Sequence, residues 1–138
     1  MKRVILADEK YPLELHPEVI VTYGALTAKQ YRQAEAIKQA YYAEKMGKMK
    51  QGEEVYLAGC IEYFDFVCRH GIRSITGLLL EEQGSTYPLK VAREVGLYGE
   101  ALTEENWDEI YPFLSGEIPS ITQGILQRSQ IESSAPPA

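Results

Sequence analysis

From Ala28 to Gln51 almost every residue favours a helix, and the run follows Thr27, which stands three residues before Gln30. A threonine so placed accepts from the backbone N–H at Gln30, while the glutamine side chain reaches back to the threonine N–H, so the start of the helix is written into the chain. Tyr31, Ala34, Ile37, Tyr41 and Met46 recur at helical spacing beside lysines and glutamates. The pattern predicts one helix of about six turns, around which the rest of the domain must be arranged.

After Gly52 a second helix is expected over Glu53 to His70, with Leu57, Ala58, Ile61, Phe64 and Cys68 on one buried stripe and Gly71 as its stop. Only Gln51 and Gly52 lie between the two, which favours an antiparallel pair over one bent helix. At the N-terminal end, residues 2–6 and 11–15 flank a polar link and read as a β-hairpin, with Tyr11, Leu13 and Leu15 on one face. His16-Pro17-Glu18 reads as the start of a short helix reaching Tyr23, closed by Gly24. Ile72 to Leu80 is balanced between helix and strand and is taken as mostly helical, residues 83–88 as a loop, and residues 89–99 are left to tertiary contacts.

Thr103-Glu104-Glu105-Asn106 starts a further helix with Trp107, Ile110, Tyr111 and Leu114 at core spacing, ended by Ser115-Gly116. Pro119 opens a last helix carrying Ile121, Ile125 and Leu126. The expected fold is therefore mainly α: a small helical bundle with an N-terminal β-hairpin. It forms one domain over residues 1–130, and Ser, Ala and Pro make residues 131–138 a flexible tail. No period of 20 to 50 residues recurs, which argues against a repeat array.

A length of 138 residues with 45% hydrophobic and 25% charged residues suits one globular domain. The longest apolar runs fall far short of the roughly 20 residues that span a bilayer. The basic start is followed by only four apolar residues, so no secretory leader is expected. Net charge is -6, unevenly placed: residues 1–52 hold nine basic against six acidic side chains, and residues 53–138 five against fourteen. An acidic total without a dense basic cluster argues against a nucleic-acid binder. Cys60 and Cys68 lie eight residues apart on the expected second helix, a separation of roughly 12 Å that no disulfide spans. Reduced thiols fit a cytoplasmic protein better than a secreted one.

No glycine-rich phosphate loop, zinc-protease motif or nucleophile elbow is present. His16 reads as part of a junction and His70 as a cation suited to a helix C-terminus. Cys60, Cys68 and His70 do not have metal-ligand spacing. Asp65, His70 and Ser74 include the residue types of a catalytic triad, but an i, i+4 ion pair between Asp65 and Arg69 is the simpler reading. Glu81-Glu82, Glu104-Glu105 and Asp108-Glu109 read as solvated charges near helix starts. No catalytic, cofactor or metal residue is therefore assigned.

What remains is a contact surface. Amphipathic aromatics and adaptable thioethers on the long helix mark Tyr31, Lys38, Tyr41, Tyr42, Lys45, Met46 and Met49 as candidate partner-binding residues. The competing reading places Tyr31, Tyr41 and Met46 in the core. Because its polar side is basic, a negatively charged protein helix is the matching partner.

Three segments carry a resemblance: Val4 to Leu15, Ile61 to Gly77, and Leu102-Thr103-Glu104-Glu105-Asn106-Trp107-Asp108-Glu109-Ile110. In size, order of elements and polarity the chain is similar to the tail assembly chaperones of long-tailed bacteriophages. That resemblance implies a non-catalytic protein of the infected host's cytoplasm, with no cofactor, that coats the tape-measure protein, keeps its long helix soluble and recruits tail-tube subunits. It also implies a longer frameshifted product, for which the C-terminal tail would serve as a linker. Two alternatives stay open at this point, a permanent structural subunit of the phage particle, with homo-oligomeric contacts, and a small enzyme or ligand-binding domain.

Overall fold

The computed structural model describes residues 10–16, 19–82 and 85–133. Strands β1 (Lys10–His16) and β2 (Val19–Gly24) form an antiparallel hairpin, and α1 (Ala28–Met46) follows. A short 3-10 turn at Leu57–Gly59 leads into α2 (Ile61–Gly71), which passes directly into β3 (Ile72–Thr76). Two further hairpins come next, β4 (Leu79–Glu82) with β5 (Ser85–Pro88) and β6 (Arg93–Gly96) with β7 (Gly99–Leu102). Helices α3 (Glu104–Leu114) and α4 (Ile118–Ser133) complete the chain.

The fold is mixed α/β, which corrects the expectation of a mainly helical bundle. Its centre is a three-stranded antiparallel sheet in the order β1-β2-β3. Residues 19–23 (Val-Ile-Val-Thr-Tyr) were expected to be helical, but this β-branched and aromatic run fits a pleated surface and is paired on both sides, Val21 with Leu13 of β1 and with Ile75 of β3. Strand β1 covers the expected strand at 11–15, but its partner is β2. The expected partner, residues 2–6, lies outside the described residues, as do Pro17 and Glu18. Ile72–Thr76 is a strand for the same reason: its long-range pairing with β2 outweighs its local ambiguity. The expected loop over residues 83–88 carries β5, while residues 83 and 84 lie outside the described ones.

Both long helices are shorter than expected. Helix α1 ends at Met46, capped by the Gly47 N–H on the Ala43 carbonyl oxygen (3.3 Å), and the segment beyond it, with Gly47, Lys48 and Lys50 exposed, has little core to support it. Residues 47–60 then form a long connection instead of a two-residue turn, and α2 starts only at Ile61. The buried face of α2 is Tyr63, Val67, Cys68 and His70, with Cys60 just before it. This is rotated from the expected stripe: Phe64 is only partly buried and Ile61 is 62% exposed. In α3, Trp107, Ile110 and Leu114 are buried as expected and Tyr111 lies outside.

Helix α4 holds the layers together, and two glycines let it approach closely. A Cβ on Gly71 would lie 2.8 Å from Cγ1 of Ile125, and one on Gly124 would lie 2.6 Å from Cζ of Tyr23. Ile121 and Ile125 are fully buried against α2 and β2. Thr122 Oγ1 and the Cys68 thiol lie 3.3 Å apart within this interface. Ser129 Oγ accepts from the Leu26 N–H (2.8 Å) and donates to the Ile125 carbonyl oxygen (2.7 Å), so this buried hydroxyl and the buried Leu26 amide are both bonded. Helix α4 runs through Ser133, three residues into the segment read as a tail, and residues 134–138 lie outside the described residues.

Candidate partner-binding face on the first helix

The sequence signal at the start of α1 is realised. Gln30 N donates to Thr27 Oγ1 (3.2 Å) and Thr27 N donates to Gln30 Oε1 (2.9 Å), a cap that contributes about 1 kcal/mol. The buried Gln30 also donates from Nε2 to the Tyr98 carbonyl oxygen (2.9 Å), and Lys29 Nζ reaches the Leu97 carbonyl oxygen (3.0 Å). The turn of the β6–β7 hairpin is thereby fastened to the first turn of α1.

The other end of α1 is held less firmly. Gln30 and Ala34 are buried, Tyr31, Ile37 and Tyr41 pack against the core from the side, and Ala40, Ala43, Glu44, Lys45 and Met46 are exposed. Its apolar residues do not keep to one stripe: Ala34, Ile37 and Tyr41 face the core while Ala36, Ala40, Ala43 and Met46 are exposed, a pattern suited to a helix whose far half stands partly free of its own domain.

Of the candidate residues, the structure gathers Tyr41, Tyr42 and Lys45 into one cluster. The Tyr41 hydroxyl donates to the Tyr56 carbonyl oxygen (3.2 Å), the Tyr42 ring meets Tyr41 edge-on at 6.1 Å, and Lys45 Nζ lies 5.7 Å from the Tyr41 ring centre. Tyr41 separates two open clefts. One, about 300 Å³, runs between α1 and the start of α2 past Ile37, Ala40 and Cys60, with Glu44 and Glu62 at its sides. The other, about 450 Å³, lies between the end of α1 and the 47–60 connection, lined by Lys45, Lys48, Met49 and Tyr56 together with Glu53 and Glu54. Met46 is 65% exposed, so the reading that put it in the core is overturned. Tyr31 and Lys38 stand apart from the cluster. The Tyr31 hydroxyl accepts from Gln130 Nε2 (3.2 Å) and Lys38 pairs with Glu35 (3.0 Å), so both are engaged within the domain.

The triad-like residues are not assembled. Asp65 Oδ1 accepts from the Trp107 indole N–H (3.0 Å), and His70 Nδ1 lies 2.7 Å from the Phe66 carbonyl oxygen, where a triad would need the carboxylate. Nor does Asp65 pair with Arg69, as the i, i+4 spacing suggested; Arg69 Nε donates to the Leu102 carbonyl oxygen (3.0 Å) and ties α2 to β7. Arg73 and Arg93 also spend their guanidinium groups on carbonyl oxygens, Arg73 on Ala25 (2.9 Å) and Arg93 on Ile72 and Glu100.

His70 is not the helix-end cation expected. It is buried, stacked on Phe66 at 4.1 Å, and held below the ordinary histidine value by burial, against the raising effect of its Phe66 hydrogen bond. Burial likewise pushes the Cys68 thiol up to about 12, and burial with the nearby Glu35 carboxylate raises the Tyr63 phenol to about 12. These groups sit in the core and face neither of the clefts beside Tyr41; Tyr63 borders a separate shallow groove against α4. Glu104, Glu105, Asp108 and Glu109 are exposed on the outer side of α3, whereas Glu81 and Glu82 belong to a strand and not to a helix start.

Compared with protein-family profiles, with curated proteins and with solved structures, the chain matches none. Among the described residues, no helix is long and apolar enough to cross a membrane.

Sequence reasoning missed an apolar groove of about 180 Å³ between the start of α2, the end of α3 and the start of α4, lined by Ala58, Ile61, Phe64, Tyr111, Ile118 and Pro119. Its signal was present as the Ile61 and Phe64 stripe, which was assigned to the interior.

Proposed function

We propose that the protein is a non-catalytic protein-binding subunit that takes a helical, negatively charged partner along the distal half of α1. The observation that carries this reading is the exposure of that half-helix together with the Tyr41, Tyr42 and Lys45 cluster between two clefts. A helix lying in such a groove would set apolar anchors against the tyrosines and Met46 while its carboxylates meet the lysines. In its specific form, the proposal is the assembly chaperone of a phage or prophage tail. The partner is then the tape-measure protein, with tail-tube subunits recruited afterwards, in the cytoplasm of the infected bacterium. The resemblance in sequence supports that form.

A second reading has its own observation. The β6–β7 hairpin carries Val95 and Leu97, each 78% exposed, and a two-stranded hairpin has little stability of its own. Neighbouring copies covering such hairpins would suit a permanent structural subunit of a particle, found in the virion.

The test is co-expression with the long helical protein encoded beside it, followed by light scattering on the purified material. The expected result is a stoichiometric complex that is lost in Tyr42→Asp/Lys45→Glu while the variant keeps the wild-type circular dichroism spectrum. Absence of a complex, or a complex indifferent to the variant, overturns the chaperone reading. A closed ring or tube formed by the protein alone supports the structural one.

A further inference from the structure

The β6–β7 hairpin is fastened to the helices at its turn and along its strands. Gln30 Nε2 and Lys29 Nζ of α1 donate to the carbonyl oxygens of Tyr98 (2.9 Å) and Leu97 (3.0 Å). The Tyr98 ring meets Phe66 of α2 edge-on at 5.4 Å, and Lys29 Nζ lies 5.6 Å from its centre. Arg93 of β6 donates to the Ile72 carbonyl oxygen, and Arg69 of α2 donates to that of Leu102 in β7 (3.0 Å). A two-stranded hairpin has little stability of its own, so these contacts decide whether it stays docked.

His70 sits among these contacts. Its buried ring stacks on Phe66 at 4.1 Å and meets Tyr98 edge-on at 6.5 Å. Nδ1 lies 2.7 Å from the Phe66 carbonyl oxygen, which the neutral ring satisfies with its Nδ1–H, and among the described residues Nε2 has no hydrogen-bond partner. A proton added at Nε2 therefore creates a buried N–H without an acceptor. The neighbouring charges oppose it too: Arg69 acts on the ring from α2 itself, Arg93 from β6 and Arg73 from β3. Carbonyl oxygens hold two of these guanidiniums in place, those of His70 and Ala25 for Arg73 and those of Ile72 and Glu100 for Arg93. The other titratable groups of the cluster are the Tyr98 phenol, Lys29 beside it, and Glu100 of β7, whose carboxylate acts on Arg93. Burial and the three guanidiniums outweigh the Phe66 hydrogen bond, so the docked ring takes a proton less readily than a solvated one.

We propose that the β6–β7 hairpin is a latch that protonation of His70 opens. In the open form Tyr98 leaves the imidazole, water reaches Nε2, and the added N–H finds its acceptor there. The open form binds a proton that the docked form refuses, so the docked form is fully favoured above the ordinary histidine range and loses ground as pH falls below it. One proton sets the limit: the opening constant rises by at most about tenfold per pH unit. Opening parts Tyr98 from Phe66 and breaks the bonds from Gln30 and Lys29 to the turn, which uncovers Phe66 and the first turn of α1. The Thr27 and Gln30 cap is internal to α1 and survives, so the helix does not unravel.

The experiment follows the full chain from about pH 8 to about pH 5. NMR reads the imidazole signals, which belong to His16 and His70 alone and are told apart with His16→Gln. Hydrogen exchange, corrected for the intrinsic effect of pH, reads the opening of residues 93–102 beside that of α4. The hairpin is expected to open about tenfold or more as often as α4, and increasingly so through the pH range in which a solvated histidine titrates. His70→Gln, which cannot take the proton, is expected to lose that slope. Tyr98→Ala is expected to leave the hairpin open at every pH and to return the His70 titration to the ordinary histidine value. Circular dichroism checks that both variants fold.

In the wild type, a hairpin that opens no more often than α4 at any pH, or an opening indifferent to pH in that range, overturns the proposal. So does a slope that persists in folded His70→Gln, or a His70 titration that folded Tyr98→Ala leaves unchanged. The wild-type measurements need no substitution and decide the matter even where a variant fails to fold.

Discussion

Replacing Gly71 with alanine should destabilise the fold through a single contact. The added Cβ would lie 2.8 Å from both Cγ1 and Cγ2 of Ile125 and closer still to Cδ1, and Ile125 is fully buried, so its side chain has no free space to turn into. Gly71 is the last residue of α2, where alanine gains at most about 1 kcal/mol of helix propensity. Overpacking in a close-packed core costs about 1–3 kcal/mol; with three atoms of a fully buried side chain in the way the upper part of that range, about 2–3 kcal/mol, applies, so the net loss is about 1–2 kcal/mol. In urea unfolding this appears as a lower midpoint with an unchanged slope. Ile125→Ala alone leaves a cavity and costs about 2–5 kcal/mol. In the double variant the new methyl group occupies part of that space, so the combined loss should fall short of the sum by about 1–2 kcal/mol. Gly71→Ala as stable as the wild type, or a double variant whose loss equals the sum, would refute the claim that this glycine is fixed by helix approach.

Two further outcomes follow from the buried titratable groups. His70 is held below its ordinary value, so between that value and its lowered folded one the unfolded chain binds a proton that the folded chain does not. Its contribution to stability is complete above the ordinary histidine range and is lost as pH falls through that window; thermal melts should show this slope in the wild type and a flatter one in His70→Gln, and equal slopes would refute it. The Cys68 thiol, pushed up to about 12 and fully buried, should resist iodoacetamide near pH 8 until the protein unfolds, as mass spectrometry of the modified peptide would report. Modification at the rate of a free thiol in native protein would contradict that burial.

The features legible in the sequence are those that depend on neighbours a few residues away. Thr27 with Gln30 and Thr103 with Asn106 cap their helices as their spacing indicates, and Ile121 and Ile125 take their expected core positions. The strands were not legible in the same way. Val19 to Tyr23 and Ile72 to Thr76 are partners separated by some fifty residues of chain, and neither declares its pairing locally. A proline followed by an acid resembles a helix start wherever it occurs, which is why Val19 to Tyr23 reads locally as the continuation of a helix. The face of α2 was misassigned because two sets of apolar residues on it satisfy helical spacing, and only packing against α4 selects Tyr63, Val67 and Cys68 over Ile61. Of the candidate face, the sequence indicated the residues, but not that the helix would end at Met46 and leave a cleft on each side of Tyr41.

The position of α4 bears on how the protein is made. Synthesis delivers β2 and α2 well before residues 118–133, yet Tyr23, Cys68 and Ile72 belong to a core that is closed only when α4 arrives. The bond from the Leu26 N–H to Ser129 closes a span of 103 residues, and contacts so distant in sequence form slowly. During translation the growing chain therefore displays an unfinished apolar surface, and its solubility in that interval depends on what is nearby in the cell. A ribosome that stops before α4 releases a chain that quality-control proteases can recognise.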